Sequence, residues 1–368
     1  MGEKVKDVLI VAAMAVIIFG ISLWCILKEP GDYSQSERRY LAHFPKADAD
    51  TILRGSFMSD YEVYAADQFP CRETFRVTKA FSELYLFKKL DSNSLFLADG
   101  HISKIDYPLN EKSLENAANK FMSIYENYLE STDVNIYLSI IPDKNCFLAE
   151  DSGIISIDFE ELQGKFCSEV PFAEYIDIYG LLDKDDYYKT DTHWKQECIV
   201  PIAEMFADKM GVGFCDEFEI NELSKPFYGV YYGQLGLYHE PDTIKYLEND
   251  MLRQCMVISY STGKAEKSVL YNMEKAYGKD PYEMFLSGSE PFITIENPNA
   301  ETNKELVIFR DSFGSSIAPL MLSGYSKITL VDLRYMHSGV IGEFIDFKKQ
   351  DILFLYSTMI LNNSFSFR

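Results

Sequence analysis

Leu306-Val-Ile-Phe-Arg-Asp-Ser-Phe-Gly-Ser-Ser316 is the stretch that decides how this chain is read. Leu306 to Phe309 is a short run rich in β-branched and aromatic residues, and its spacing and length predict a buried strand. The run stops at Arg310-Asp311-Ser312, Gly314 lets the chain reverse tightly, and Ile317 to Leu322 read as the first turns of a helix. A serine at such a bend has its hydroxyl lifted off the carboxyl edge of a sheet. The helix N-terminus aims backbone N–H groups at the space beside it. The same residues also read as a Ser/Asp helix cap at an ordinary βα turn with no chemistry. A nucleophilic serine needs a base, so the histidines discriminate between the two.

There are five, His43, His101, His193, His239 and His337. His193 lies in Tyr187-Tyr-Lys-Thr-Asp-Thr-His-Trp194, two residues after Asp191. A carboxylate that close can reach the imidazole Nδ1, fix its tautomer and stabilise the imidazolium. Ser312, His193 and Asp191 are therefore a candidate nucleophile, base and orienting acid. His337, just after Arg334-Tyr335, is the one serious rival base.

Outward from this turn the pattern is α/β. Strands at Ile328 to Val331 and Ile352 to Leu355 follow the first, with a helical Val340 to Phe347 between them. Earlier, an amphipathic Leu114 to Leu129 leads into a strand from Val134 to Ile141, ending at Pro142-Asp143-Lys144. Short strands separated by helices imply a parallel sheet with right-handed crossovers, and such sheets bind ligands at their carboxyl edge. Arg334 and Tyr356 sit at two of those strand ends and are candidate side-chain donors to an oxyanion, beside the Ser312 N–H. Arg334 reads equally as an external salt bridge, and Arg310 with Asp311 as a local ion pair shaping the turn. The helix after Trp194 runs from Ile199 to Met210, and Phe214 to Asn303 reads as a mixed, strand-rich insertion. Upstream, Leu95 to Leu97 and Ile102 around Asp99-Gly100 suggest a hairpin, and Glu73 to Leu90 has helical apolar spacing.

The chain has 368 residues, 47% of them hydrophobic, enough for a substantial core. Its net charge of −22 is spread over many Asp and Glu, which argues against non-specific binding to nucleic acid or anionic lipid. Val8 to Leu27 is a run of 20 residues without a charge, preceded by Lys4 and Lys6. That run is long enough to cross a bilayer, and the flanking lysines favour a cytoplasmic N-terminus with everything after Lys28 outside. A cleaved signal peptide is the competing reading, but no small-x-small site follows the run. Trp24 stands where a lipoprotein site at Cys25 would want a small residue. The other six cysteines show no Cys-x-x-Cys spacing and the histidines no His-x-x-x-His, so neither a metal nor another cofactor is expected.

Several motifs in order then carry a family resemblance. They are Glu37-Arg-Arg-Tyr-Leu-Ala42 with Phe44-Pro45, Asp67-Gln-Phe-Pro-Cys-Arg72, Ile141-Pro-Asp-Lys144, Asp191-Thr-His-Trp194, Arg310-Asp-Ser-Phe-Gly314 and Val331-Asp-Leu-Arg-Tyr335. Together they resemble the bacterial DHHW family, itself similar to the alginate O-acetylation proteins of the J and X type with their SGNH-hydrolase-like fold. The resemblance implies a three-layer α/β/α domain over 95–368 with a central parallel sheet and an insertion at about 214–303. Before it come a membrane anchor over 1–28 and a helical lead-in over 29–94. It also implies an extracytoplasmic O-acetyltransferase in which Ser312 carries the acyl group, His193 is the base and Asp191 orients it. The donor would be a polytopic membrane acyltransferase, and the acceptor a polysaccharide or cell-wall glycan. An acetyl-esterase with the same triad, or a non-catalytic glycan-binding protein, remains an alternative. Thr192 departs from the family pattern, which has histidine there. Trp194 either faces a sugar or packs beneath the histidine loop.

Overall fold

The computed structural model describes residues 2–34 and 36–368. It divides into two compact units: the chain up to Asn93 with Tyr232–Tyr238, and Ser94–Tyr231 with His239–Arg368.

The first unit opens with helix α1, Gly2–Leu27. Its stretch Lys4–Leu27, 24 residues, is the one helix among the described residues long and apolar enough to cross a membrane. At 1.5 Å per residue it spans about 36 Å, against about 30 Å of hydrocarbon. A five-residue helical turn at Ala49–Leu53 is followed by two longer helices, α2 (Ser56–Asp67) and α3 (Arg72–Phe81). The helix expected to continue to Leu90 instead widens into a π-helical turn over Ser82–Leu86 and stops. The corner between α2 and α3 is fixed by polar contacts. Asp67 takes a two-pronged ion pair from Arg39, at 2.8 and 2.5 Å, and accepts the Ala42 N–H at 2.9 Å. The Arg39 guanidinium holds the Asp67 carboxyl below its usual range.

The second unit is built on an eight-stranded sheet. In chain order its strands are β1 (Asn135–Ile141), β2 (Glu174–Tyr175), β3 (Met256–Ser259), β4 (Glu266–Ser268), β5 (Phe292–Glu296), β6 (Glu305–Arg310), β7 (Lys327–Val331) and β8 (Asp351–Ser357). Across the sheet they run β4-β3-β5-β7-β6-β8-β1-β2. From β7 to β2 every neighbouring pair is parallel. The sequence of β8, Asp-Ile-Leu-Phe-Leu-Tyr-Ser, is buried throughout, because both faces of the sheet are covered. On one face Val307, Phe309, Ile352 and Phe354 pack against α4 (Glu111–Ile124) and α5 (Phe159–Glu169), with Phe121 stacked on Phe354 at 4.5 Å. On the other, Leu306, Ile308, Leu353 and Leu355 meet Ile202, Phe206 and Met210 of α6 (Val200–Met210). This is the three-layer α/β/α architecture with a central parallel sheet that the motifs imply.

The segment read as an insertion is tied into the same sheet. Its strands β5, β3 and β4 extend the parallel core through antiparallel pairs, Ile293 standing opposite Leu330 and Ser259. Not all of this segment is strand: Val230–Leu235 is a short helix. The helix expected over Val340 to Phe347 is a 3-10 turn at Ser338–Glu343. Four residues of apolar spacing suit a 3-10 turn as well as an α-helix, and only length separates them.

Candidate active site

Strand β6 ends at Arg310, and the chain turns through Asp311 and Ser312 into a helical turn at Gly314–Ile317. Asp311 shapes this bend. It is fully buried; one carboxylate oxygen accepts the Phe313 N–H at 3.0 Å, and the other accepts the Ser357 N–H at 2.8 Å and hydroxyl at 2.7 Å. The Ser312 turn is thereby bolted to the end of β8. Gly314 is required for space: a Cβ there would lie 2.6 Å from the Arg310 Cβ, so any other residue would push the turn off its strand.

The histidine loop approaches from the opposite direction and is held from several sides. Tyr187 bridges Trp194, and the Tyr188 N–H donates to the His193 carbonyl at 3.0 Å. Lys144, fully buried at the end of β1, donates to the carbonyls of Tyr188 (2.8 Å), Lys189 (3.3 Å) and Asp191 (2.6 Å). Burial pushes its ammonium down to about 8. The Asp242 carboxylate accepts the N–H groups of Lys189 and Thr190, both at 2.8 Å, and the Thr190 hydroxyl at 2.6 Å. Gly229 passes so close that a Cβ would stand 2.3 Å from the Thr190 carbonyl oxygen.

These constraints bring together three side chains. His193 Nδ1 lies 2.6 Å from Asp191 Oδ1, and its Nε2 lies 2.7 Å from Ser312 Oγ, across 119 residues of sequence. The other Asp191 oxygen accepts the Val230 N–H at 2.8 Å, which fixes the carboxylate plane. Asp191 is 2% exposed and the His193 side chain 13%, while Ser312 is partly exposed. The carboxylate is thus shielded, while the imidazole and the Ser312 hydroxyl are reachable. Below the imidazole, Tyr282 stacks at 3.8 Å and 11°. Its hydroxyl and the Trp194 indole N–H both donate to Ser316 Oγ, at 3.0 and 2.8 Å, and Ser316 donates to the Phe313 carbonyl at 3.2 Å. The histidine therefore rests on a ring whose far end is tied to the serine turn. The Ser312 N–H has no acceptor among the described residues and is free for a ligand oxygen.

The remaining candidates separate. Arg334 keeps partial access at 17% side-chain exposure, its guanidinium held by Asp332 through two bonds of 2.9 and 2.7 Å. Arg310 is fully buried, reaching only the Asp311 and Glu290 carbonyls at 3.4 Å and Asp332 at 3.6 Å. Tyr356 alternates onto the α4 side of the sheet and is wedged between Phe121 and Phe367, so as an oxyanion donor it is corrected to a core residue. Trp194 is likewise corrected: it is completely buried, edge-on to Phe313 at 5.3 Å, and presents no face to a sugar. His337, the rival base, instead caps a turn by accepting the Gly339 N–H at 3.0 Å.

Among solved structures, a DHHW family protein from Eubacterium siraeum superposes with a TM-score of 0.59 at 19% identity, covering 74% of this chain and 93% of that one. The fold is that of a DHHW family protein. Bacillus cereus PatB1, solved with a sulfonyl adduct, matches with a TM-score of 0.58 at 17% identity over 73% of this chain and 97% of its own. The O-acetyltransferase domain of Pseudomonas putida AlgJ is more distant, with a TM-score of 0.43 at 8% identity over 73% and 92% of the two chains. No protein-family model and no curated protein matches the sequence.

Sequence reasoning missed Tyr282, Asp242 and Gly229. Each acts through a contact with a residue dozens of positions away, and nothing in its neighbourhood marks it. Thr192, the departure from the family pattern, donates to the buried Asp143 carboxylate at 3.3 Å and so links the histidine loop to the end of β1.

Proposed function

We propose that this chain is a serine-dependent acyl transferase that moves an acetyl group onto a hydroxyl of an extracytoplasmic glycan. The reading rests above all on the in-line contacts from Asp191 through His193 to Ser312, 2.6 and 2.7 Å. A serine hydroxyl is a weak nucleophile until a base takes its proton, and a base is effective when a third group fixes its tautomer. Asp191 accepts from Nδ1–H, leaving Nε2 as the acceptor aimed at Oγ.

In the first half-reaction Ser312 Oγ attacks the acyl carbonyl carbon while its proton passes to His193 Nε2. The tetrahedral oxyanion is met by the Ser312 N–H, with Arg334, held by Asp332, as the candidate further donor that the sequence suggests. Collapse expels the donor's oxygen, which takes the proton from Nε2, and leaves acetyl-Ser312. In the second half a glycan hydroxyl gives its proton to Nε2 as its oxygen attacks the acetyl carbonyl, and collapse breaks the bond to Ser312 Oγ, which takes the proton back from Nε2. Water in place of the glycan would make the same centre an esterase. The acetyl group, the glycan acceptor and a polytopic membrane donor come from the sequence resemblance. So does an orientation with the N-terminus inside and the catalytic unit outside, which Lys4 and Lys6 favour. PatB1, with a related fold, carries a sulfonyl adduct. A sulfonyl electrophile is expected to label Ser312 here.

The test gives the purified chain a chromogenic acetyl ester, with and without oligosaccharide acceptors, beside Ser312→Ala. Acetylated oligosaccharide formed only with the intact serine is the expected result. Acetate release that acceptors leave unchanged would reassign the chain to ester hydrolysis, and turnover independent of Ser312 would remove the triad from the chemistry.

A further inference from the structure

The first unit is poorly built as a water-soluble body. Beyond α1, the buried apolar side chains described in this unit are only Pro70, Ala80, Leu235 and Leu237. Fourteen large apolar side chains between Tyr40 and Leu90 are exposed instead. Six form a continuous strip at the end of α3 and beyond. Val77, Phe81 and Tyr85 recur every four positions, and Leu86, Phe87 and Leu90 follow, exposed by 44–69%. The Phe81 and Tyr85 rings lie 5.2 Å apart and share one surface, and the other four exposed side chains adjoin them in sequence. Soluble proteins seldom leave apolar area of this kind contiguous and uncovered.

Two observations say what covers it. First, the corner between α2 and α3 is fastened to the end of α1. The Lys28 ammonium donates to the Gln68 carbonyl at 3.2 Å, and the Gln68 side-chain amide pairs with the Gly31 backbone in both directions, at 2.9 Å each. Gly31 is four residues beyond Leu27, so the corner stands within about 14 Å of the end of α1. With α1 across a bilayer, that places the corner at the headgroup layer. Second, the charge is distributed to allow contact with it. Residues 28–91 carry ten Lys and Arg against eleven Asp and Glu, while the chain as a whole stands at −22. The acidity that argues against anionic lipid for the whole chain is nearly balanced in this segment, and Lys88 stands between Phe87 and Leu90, while Lys89 pairs with Glu83 at 3.0 Å.

We propose that the strip Val77–Leu90 lies in the membrane interface, with Phe81, Tyr85, Leu86 and Phe87 among the headgroups and upper acyl chains. The first unit is then a membrane-surface element as well as a stem, and the bilayer supplies the cover its own residues lack. Aromatic rings suit that depth because they pair an apolar body with a polarisable face, and Lys88, next to Phe87, extends to the phosphates.

The experiment uses the full chain in lipid nanodiscs at one copy per disc. Quenching of Trp24 by lipids brominated on the acyl chain first reports that α1 is inserted. Phe87→Trp is then introduced together with Trp24→Phe, leaving buried Trp194 as the constant background. The added indole is expected to be quenched at least twofold by lipid brominated near the headgroup end of the chain, with blue-shifted emission and protection from aqueous iodide. Unquenched, iodide-accessible emission in discs where Trp24 of the parent is quenched would overturn the proposal. So would quenching confined to discs holding two or more copies, which would assign the face to self-association.

Discussion

Four carboxylates near the triad have different tasks, and their partners tell them apart. Asp191 faces His193 Nδ1; Asp311 binds only backbone N–H groups and the Ser357 hydroxyl; Asp242 binds the loop backbone; Asp332 pairs with Arg334. Asp191→Asn keeps the shape but misorients the tautomer, and kcat should fall by about 10³–10⁴ with KM nearly unchanged. Steady-state kinetics on a small acetyl ester checks this, and a loss under tenfold would contradict the assignment. His101 offers a pH prediction of a different kind. It is fully buried, its ring makes no hydrogen bond, Asp185 is 3.5 Å away, and burial pushes it down from 6.5 to about 4. A depressed folded value means the unfolded chain takes up the proton first, so stability is lost as pH falls from 6.5 towards 4. The loss amounts to about 3 kcal/mol. Asp106, raised by burial from 3.8 to about 6, acts in the opposite direction over the same range and masks the effect in the native protein. The stability difference between His101→Leu and wild type should therefore grow in the variant's favour between pH 6.5 and 4, measured by denaturant unfolding at each pH. A pH-independent difference would contradict the account.

At the scale of elements, the site depends on two turns that must approach closely. Gly229→Ala would set a methyl 2.3 Å from the Thr190 carbonyl oxygen and 2.4 Å from Asp191 Cβ, displacing the acid by an ångström or more. About a hundredfold loss of activity is expected, with a smaller effect on folding. Lys144→Met removes the donor shared by three loop carbonyls and should lower kcat about tenfold or more with little change in KM. If KM rises instead, Lys144 touches substrate rather than the loop. The three side chains that meet were legible in the sequence because the signal is local at each end: Asp191 and His193 are two residues apart, and Ser312 follows the end of a clear strand. The buried strands were legible for the same reason, since Leu306 to Phe309 and Ile352 to Leu355 are apolar on both faces. What supports the triad was not. Tyr282 under the imidazole, Asp242 behind the loop and the inward turn of Trp194 depend on tertiary neighbours. Tyr356 was misread because strand alternation, set by the register with β1, turns it away from the site that Ser357 faces.

At the scale of the molecule, one sheet organises the chemistry, and its core should set its stability. Phe354 stacks on Phe309 at 4.8 Å and on Phe121 at 4.5 Å, and Phe354→Ala should cost about 3–5 kcal/mol in the catalytic unit's unfolding free energy. Helix α1 leads to a second expectation: the chain should stay with membranes through an alkaline wash and retain its N-terminal residues by mass, whereas a cleaved signal would release a chain lacking them. The central claim is that Ser312 carries the acyl group. Rapid quenching during turnover of a chromogenic acetyl ester, followed by mass spectrometry of the peptide containing Ser312, tests it most directly. The account predicts one acetyl group on Ser312 in the wild type, none after Ser312→Ala, and loss of that label when acceptor is added. An unlabelled Ser312 during undiminished turnover, or equal turnover by Ser312→Ala, would contradict it.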